Sequence, residues 1–157
     1  MQQVLERGVQ NDIVELRRTP PSTVAAFERR RLRVYVAGPI SKGDVFDNIV
    51  RAIKAGRTMV QQGLAPYIPH FDAYMFAWGD GSGQNTEEVS WNGYLEWDLE
   101  WVAQSEAVYR VYGESKGADL ECSIASKLGI PIFYEHGDGM NKLLAFARER
   151  SLTGVRR

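Results

Sequence analysis

Two acidic residues in this chain occupy positions where the surrounding sequence predicts an apolar helix face. At about 100° per residue, Glu121 falls inside an apolar helical arc. The other members of that arc are Ala118, Leu120, Ile124, Ala125 and Leu128. An ionised carboxylate is costly to bury without a partner. Glu121 is therefore expected either to be satisfied by a salt bridge or a cap, or to be a catalytic acid or nucleophile.

Asp98 repeats this pattern on a second predicted helix. It projects into the middle of a face whose other members are Trp91, Tyr94, Leu95, Leu99, Trp101 and Val102. Taken singly, either acid could be a core carboxylate satisfied by an arginine or a backbone amide. Together they favour a paired-carboxylate site. Such a pair suits cleavage of a glycosidic bond, in which one carboxylate attacks the anomeric carbon and another group protonates or positions the leaving group.

Length and charge restrict the class of protein. The 157 residues are enough for one domain with a real core. The 19 basic and 20 acidic residues give a net charge of −1, which is no sign of a nucleic-acid polymer as partner. No N-terminal apolar run could act as a signal or membrane span, and the single cysteine excludes an internal disulfide framework. We expect a soluble, cytoplasmic protein with no membrane partner.

Alternating strands and helices predict an α/β fold, a Rossmann-like or flavodoxin-like three-layer sandwich with a parallel sheet of about four to five strands. The predicted strands are 32–40, 64–68, 107–112 and 130–134, and the predicted helices are 44–62, 86–105, 118–128 and 141–150. Residues 1–31 are expected to form an N-terminal helical appendage and linker, and residues 32–157 the α/β domain.

The carboxyl ends of the strands are the expected ligand site, because ligands of such sheets bind there, near the topological switch point. The segments that follow the predicted strands are 38–43, 69–72 and 113–117. The loop 71–78 also carries enough aromatic residues to stack on a nucleobase, although such residues are more often ordinary packing.

Three motifs of this chain resemble the nucleoside 2-deoxyribosyltransferase superfamily. They are Tyr35-Val36-Ala37-Gly38-Pro39-Ile40, Asp98-Leu99-Glu100-Trp101, and Ser115-x-Gly117-x-x-x-Glu121 followed by Ala125-x-x-Leu128-Gly129-Ile130-Pro131. The resemblance spans about 34–134. It implies that Glu121 is a nucleophile that attacks C1′ of the deoxyribose and forms a glycosyl-enzyme ester. It also implies that Asp98 protonates or orients the base, and that the Tyr35 hydroxyl lies near the nucleophile and the sugar.

Ser115 is the position that separates two branches of the family. Transferases of free nucleosides tend to carry an acid there, whereas the branch that hydrolyses nucleoside 5′-monophosphates carries a serine that faces the phosphate. An aspartate would repel a phosphate dianion, but a hydroxyl and a helix N-terminus attract it. The structural alternatives are an ordinary N-cap for Ser115 and a solvated loop residue for Lys42.

The expected substrate-binding residues follow the strands. They are Gly38, Pro39, Ile40, Ser41, Lys42, His70, Ser115 and Gly117. The arginine that some hydrolases of the family carry after the first strand is replaced by Ser41 beside Lys42. We expect hydrolysis of the base–sugar bond of a (deoxy)nucleoside 5′-monophosphate. Base exchange on free deoxynucleosides is the alternative, and a non-catalytic nucleotide-binding module is an alternative of another class.

No cofactor is expected, and no metal, because His70, Asp72 and His136 lack the spacing of a metal site. The expected partner is a small-molecule nucleotide or nucleoside. Since members of the family often borrow a residue from a neighbouring subunit, a homodimer or larger homo-oligomer is also expected. The sequence leaves open which base is cleaved and whether the sugar is ribose or deoxyribose.

Overall fold

The computed structural model describes residues 31–72 and 91–153. The strands in these ranges are β1 (Arg33–Ala37), β2 (Ala65–Tyr67), β3 (Ala107–Arg110) and β4 (Ile132–Tyr134). The helices are α1 (Val45–Gln61), α2 (Trp91–Gln104), α3 (Lys116–Lys127) and α4 (Gly139–Thr153), with a 3₁₀ turn at Pro69–Phe71. Most of the predicted appendage, the aromatic loop beyond Asp72 and the predicted start of the second helix lie outside the described residues.

The four strands form one parallel sheet in the order β2-β1-β3-β4, which confirms the predicted α/β fold with a parallel sheet. In this register Tyr35 lies opposite Tyr67 on β2 and Val108 on β3. The chain leaves β1 to form β2 on one side and returns to add β3 on the other. The switch point therefore lies between β1 and β3, where the following loops diverge and leave a crevice.

The central strand β1 sends alternate side chains into two separate cores, as the period of two requires. Val34 and Val36 face the core on the α1 and α4 side, which also contains Ala52, Met59 and Leu143. Tyr35 and Ala37 face the core on the α2 and α3 side, which also contains Val102, Ala118, Cys122 and Ala125. The sheet is thus covered on both faces, and Tyr35 points toward the two helices that carry Asp98 and Glu121.

The buried face of α3 is narrower than the predicted apolar arc. Its buried residues are Ala118, Glu121, Cys122 and Ala125. Leu120 and Leu128, predicted to be core residues, are 38% and 48% exposed. Leu120 lines a pocket instead, and Leu128 is the C-cap, beyond the last turn that packs. Small alanines let α3 approach its neighbours closely, which leaves the larger leucines at the margin.

The predicted face of α2 is also correct only in part. Tyr94 and Val102 are buried as expected, and Asp98 is half-buried among them. Trp101, predicted to lie on the same face, is 41% exposed and stacks on Tyr67 with its other surface. Among residues 31–72 and 91–153, no helix is long and apolar enough to cross a bilayer.

Candidate active site

A pocket of about 750 Å³ lies at the carboxyl ends of β1, β2 and β3, a volume typical of small-molecule sites. Most of the predicted site residues line it. They are Gly38, Ile40, Ser41, Lys42, Asp98, Ser115, Gly117 and Glu121. The wall also contains residues that the sequence analysis assigned no role in binding, among them Asp72, Tyr94, Leu95 and Glu114. The topology therefore brings the segments after three strands, and both inward acids, to one cavity.

Glu121 is the most deeply buried acid of the pocket, with 6% of its surface exposed. Its Oε1 accepts a 3.0 Å hydrogen bond from the Tyr35 hydroxyl. Burial raises the pKa of Glu121 to about 7; the Tyr35 hydroxyl lowers it, the charge of Asp98 raises it, and the charge of Arg110 lowers it. Among the described residues its hydrogen-bond partner is thus a phenol rather than an arginine, so its charge is not neutralised in the manner of an ordinary buried ion pair.

Asp98 faces the same pocket from α2. Burial raises its pKa to about 6, the charge of Asp72 raises it further, and the Tyr35 hydroxyl lowers it. Its Oδ1 is buried and has no hydrogen-bond partner within the described ranges. A buried carboxylate oxygen without a partner favours the protonated form. Asp98 can therefore hold a proton close to neutral pH, which a general acid requires.

Tyr35, Pro39 and His70 lie behind the pocket wall rather than in it. Tyr35 and His70 are fully buried, and His70 Nε2 lies 3.1 Å from the Pro39 carbonyl oxygen, which makes Nε2–H the donor. The 3₁₀ turn directs the imidazole inward beneath Gly38, where an added Cβ would lie 3.1 Å from His70 Nε2 and from Val111 Cβ. Pro39 and His70 were predicted to contact substrate. In the structure they lie behind the pocket wall and support the loop after β1.

Ser115 is the N-cap of α3, and its Oγ accepts a 3.2 Å hydrogen bond from the Ala118 amide. The N-cap that was the structural alternative for this serine is therefore present. The cap leaves the amides of Lys116 and Gly117, which both line the pocket, without intrahelical acceptors. Among the described residues, a Cβ at Gly117 would meet only Ser115 Oγ, at 3.9 Å, so these residues leave space above the helix start. Capping and anion binding are compatible here, since they use different amides.

Arg110 ends β3 and supports the candidate site without lining the pocket, a role that the sequence analysis missed. Its guanidinium is buried and donates to the Val111 carbonyl, to the Gly113 carbonyl at 2.8 Å and to Asp119 Oδ1 at 2.9 Å. These bonds tie the segment before α3 to the first turn of the helix. The sequence does contain a feature that indicates this role, an arginine at the end of an apolar strand. A charged side chain at the end of a buried strand needs hydrogen-bond acceptors close by.

Asp72 is a second missed residue, although it lies in a segment singled out by the strand-end rule. The Tyr67 hydroxyl donates to its Oδ2. Tyr67 is itself stacked between Tyr35 and Trp101, with ring centroids 5.7 and 4.7 Å away. A column of aromatic rings therefore holds Asp72 at the pocket wall. Its position beside Asp98 depends on the stacking of Tyr67 on Trp101 of α2, which local sequence patterns do not contain.

Lys42 and Glu114 form an ion pair at the mouth of the pocket, between the loops after β1 and β3. Both side chains are mostly exposed. The backbone of the Lys42 loop is held from α1, where Asn48 Nδ2 donates to the Ile40 carbonyl at 3.2 Å and to the Lys42 carbonyl at 2.8 Å. A cation is thus held near the amides that begin α3. Within the described ranges, no group of three or more histidine, cysteine or acidic side chains is arranged to bind a metal.

A family model described as "Domain of unknown function (DUF4406)" matches residues 32–134, more than half of the chain. The protein belongs to this family. The matched part of this DUF4406 chain contains all four strands and every pocket-lining residue named above. No curated protein matches the chain significantly.

Solved structures similar to this DUF4406 chain include a 2-deoxyribosyltransferase from the psychrotolerant bacterium Bacillus psychrosaccharolyticus, characterised as a biocatalyst for the synthesis of antiviral and antitumoral nucleosides. The two are 17% identical, with a TM-score of 0.48, over 73% of this chain and 81% of that one. At this level the likeness carries no argument about function, which has to come from the pocket itself.

Proposed function

We propose that this protein is an N-glycosidase that hydrolyses the base–sugar bond of a (deoxy)nucleoside 5′-monophosphate, with Glu121 as the nucleophile. One observation carries the proposal. A buried carboxylate bonded to Tyr35, a second acid with a buried oxygen that lacks a partner among the described residues, and a capped helix N-terminus all face one cavity. These are the groups needed at the anomeric carbon, the base and the phosphate.

In the first step a Glu121 carboxylate oxygen attacks C1′ of the sugar. The C1′–O bond forms, the C1′–N bond breaks with its electron pair going to the base, and Asp98 gives its proton to the base. Tyr35 holds Oε1 of Glu121, which leaves Oε2 for the attack. Burial supports the role of Asp98, because it raises the pKa of this acid to about 6.

In the second step water resolves the glycosyl-enzyme ester. The water oxygen attacks C1′ and its proton goes to the Asp98 carboxylate, which restores the acid. The ester C1′–O bond breaks, and its electron pair returns to Glu121. The products are the free base and the sugar 5-phosphate, and one water molecule is consumed.

The phosphate is proposed to bind at the start of α3. The Ser115 hydroxyl and the amides of Lys116 and Gly117 offer donors, and the helix dipole favours an anion there. Lys42 adds the nearby positive charge. An acid in place of Ser115 would repel the dianion, so the serine supports a phosphorylated substrate.

Glu114 favours a second candidate, base exchange on free deoxynucleosides. It lines the pocket immediately before Ser115, where a carboxylate could accept a hydrogen bond from a sugar 5′-hydroxyl. Both candidates share the first step. They differ in whether water or a second base resolves the ester.

The test is to incubate the full chain with each nucleoside 5′-monophosphate and each free nucleoside, in ribose and deoxyribose forms, and to measure free base and sugar 5-phosphate by chromatography. We expect base release from monophosphates, its loss in Glu121→Gln, and wild-type rates in Glu100→Gln, an exposed acid on α2. Base exchange without a phosphate would favour the transferase. Nucleotide binding with no turnover would favour the non-catalytic module and contradict the proposal.

A further inference from the structure

One wall of the pocket carries two carboxylates on different elements. Asp98 is on α2 and Asp72 directly follows the 3₁₀ turn after β2, and both line the cavity. They lie close enough for the charge of Asp72 to raise the pKa of Asp98. If Glu121 marks the anomeric carbon and Ser115 the phosphate, as in the proposed function on which this inference rests, this wall faces the base. Asp98 takes part in both proposed hydrolytic steps, whereas Asp72 has no role in either of them.

Asp72 is held as a hydrogen-bond acceptor. The Tyr67 hydroxyl donates to its Oδ2, so this oxygen accepts a hydrogen bond. A carboxylate has two oxygens with about four acceptor sites, so one tyrosine bond leaves acceptor capacity toward the pocket. Asp98, in contrast, must carry a proton to act as an acid. The wall thus offers one donor, from Asp98, beside the acceptors of Asp72.

Nucleobases differ in how they match such a wall. Adenine and cytosine carry an exocyclic amino group, which is a donor, beside a ring nitrogen that accepts a proton. In hypoxanthine and uracil a carbonyl oxygen replaces that amino group. Opposite Asp72 this oxygen would set acceptor against acceptor, and both groups would lose their water without gaining a hydrogen bond.

We infer that the pocket selects nucleotides whose base carries an exocyclic amino group beside a ring nitrogen acceptor, as adenine and cytosine do, over their oxo counterparts, and that Asp72 determines this selection. The amino group of the base donates to Asp72, while the neighbouring ring nitrogen accepts the proton of Asp98. An unpaired buried polar group costs enough to give about 10-fold or more in kcat/KM.

The experiment compares matched pairs of substrates, in ribose and deoxyribose forms, on the full chain. The pairs are adenosine against inosine 5′-monophosphate and cytidine against uridine 5′-monophosphate. Asp72→Asn keeps an oxygen that can accept from Tyr67 but presents an amide N–H₂ to the pocket. We expect the wild type to prefer the amino member of at least one pair by about 10-fold or more, and Asp72→Asn to lose or reverse that preference. Glu100→Gln, exposed on α2, should keep it.

Two further measurements keep the test decisive. Tyr67→Phe removes the hydroxyl that donates to Asp72 and should weaken the preference for the amino member of each pair. If Asp72→Asn does not fold, Tyr67→Phe takes its place as the test. Equilibrium binding of the same pairs to Glu121→Gln measures the preference without turnover. Equal values or an oxo preference in the wild type would overturn the inference and leave the proposed function standing. An unchanged preference in Asp72→Asn would overturn the role of Asp72, and no base release from any nucleotide would overturn the function and the inference together.

Discussion

The Tyr35 hydroxyl donates a 3.0 Å hydrogen bond to Glu121 Oε1 and so joins two residues 86 positions apart in the chain. Burial and the neighbouring acids raise the pKa of Tyr35 far above its ordinary range, so the phenol keeps the proton that it donates. The bond fixes one oxygen of the buried carboxylate and opposes the rise in the pKa of Glu121 caused by burial. Glu121 is therefore oriented by the fold before any ligand enters.

We expect a bell-shaped pH dependence of kcat/KM for base release, with a maximum between pH 6 and 7. At low pH Glu121, whose pKa is raised to about 7, is protonated and cannot attack. At high pH Asp98, whose pKa is raised to about 6, has lost the proton that the base needs. The reactive form has Glu121 ionised and Asp98 protonated, although Glu121 has the higher pKa. Only a minor fraction of the protein is therefore in this form, and the two limbs of the pH profile belong to the coupled pair rather than to either acid.

Asp98→Asn tests the assignment of the two limbs. It should lower kcat by about 10²–10⁴-fold and abolish the alkaline limb. Since the charge of Asp98 raises the pKa of Glu121, the one remaining limb should report Glu121 alone, with a pKa below about 7. The measurement is the initial rate across about pH 5 to 9. An alkaline limb that persists in Asp98→Asn would show that another group supplies the proton.

Glu121→Gln should be more stable than the wild type at alkaline pH. Folding raises the pKa of Glu121 from 4.5 to about 7, so the ionised form opposes folding above pH 7, and the opposition fades as the pH falls toward 4.5. The variant carries no such charge. We expect urea unfolding to give a gain of about 1–3 kcal/mol near pH 8 that shrinks near pH 5. A gain that is independent of pH would mean that packing, not the charge, is responsible.

His70→Gln should be less stable than the wild type near neutral pH, because the buried ring and its bond to the Pro39 carbonyl are changed. Burial lowers the pKa of His70 from 6.5 to about 4. The unfolded histidine therefore takes up a proton between these values while the folded one does not, and the wild type loses stability as the pH falls through that window. The stability gap should narrow by about 2 kcal/mol between pH 7 and pH 5. Glu121 and Asp98 titrate in both proteins, so a constant gap would contradict a neutral buried imidazole.

Glu114→Gln should strengthen the binding of monophosphates without strengthening the binding of free nucleosides. The variant frees Lys42 from its ion pair and removes a negative charge beside the start of α3. Since exposed ion pairs are worth little, we expect KM to fall by about 2–5-fold for nucleotides and the difference to shrink at high salt. Lys42→Met should raise KM for the same substrates. Equal changes for nucleotides and nucleosides would place the phosphate elsewhere.

Local patterns predicted the elements and the two acids well. The central strand was predictable because a strand buried on both faces reads as a continuous apolar run, here Val34 to Ala37. Helical periodicity predicted that Asp98 and Glu121 turn inward, and the strand-end rule located the pocket. The same periodicity misplaced Leu120 and Leu128, because it gives the direction of a side chain but not what lies in that direction.

The sequence by itself thus determined the parallel α/β fold, the inward acids and the segments that line the site, since each follows from short-range spacing. Only the tertiary structure decided which groups meet. It joined Tyr35 to Glu121, set Asp72 beside Asp98, and placed His70 beneath Gly38 instead of in the pocket. These contacts depend on the order of strands in the sheet and on the packing of helices across it. Both are set by the burial of the whole chain and by close approach between distant segments, which no local pattern records.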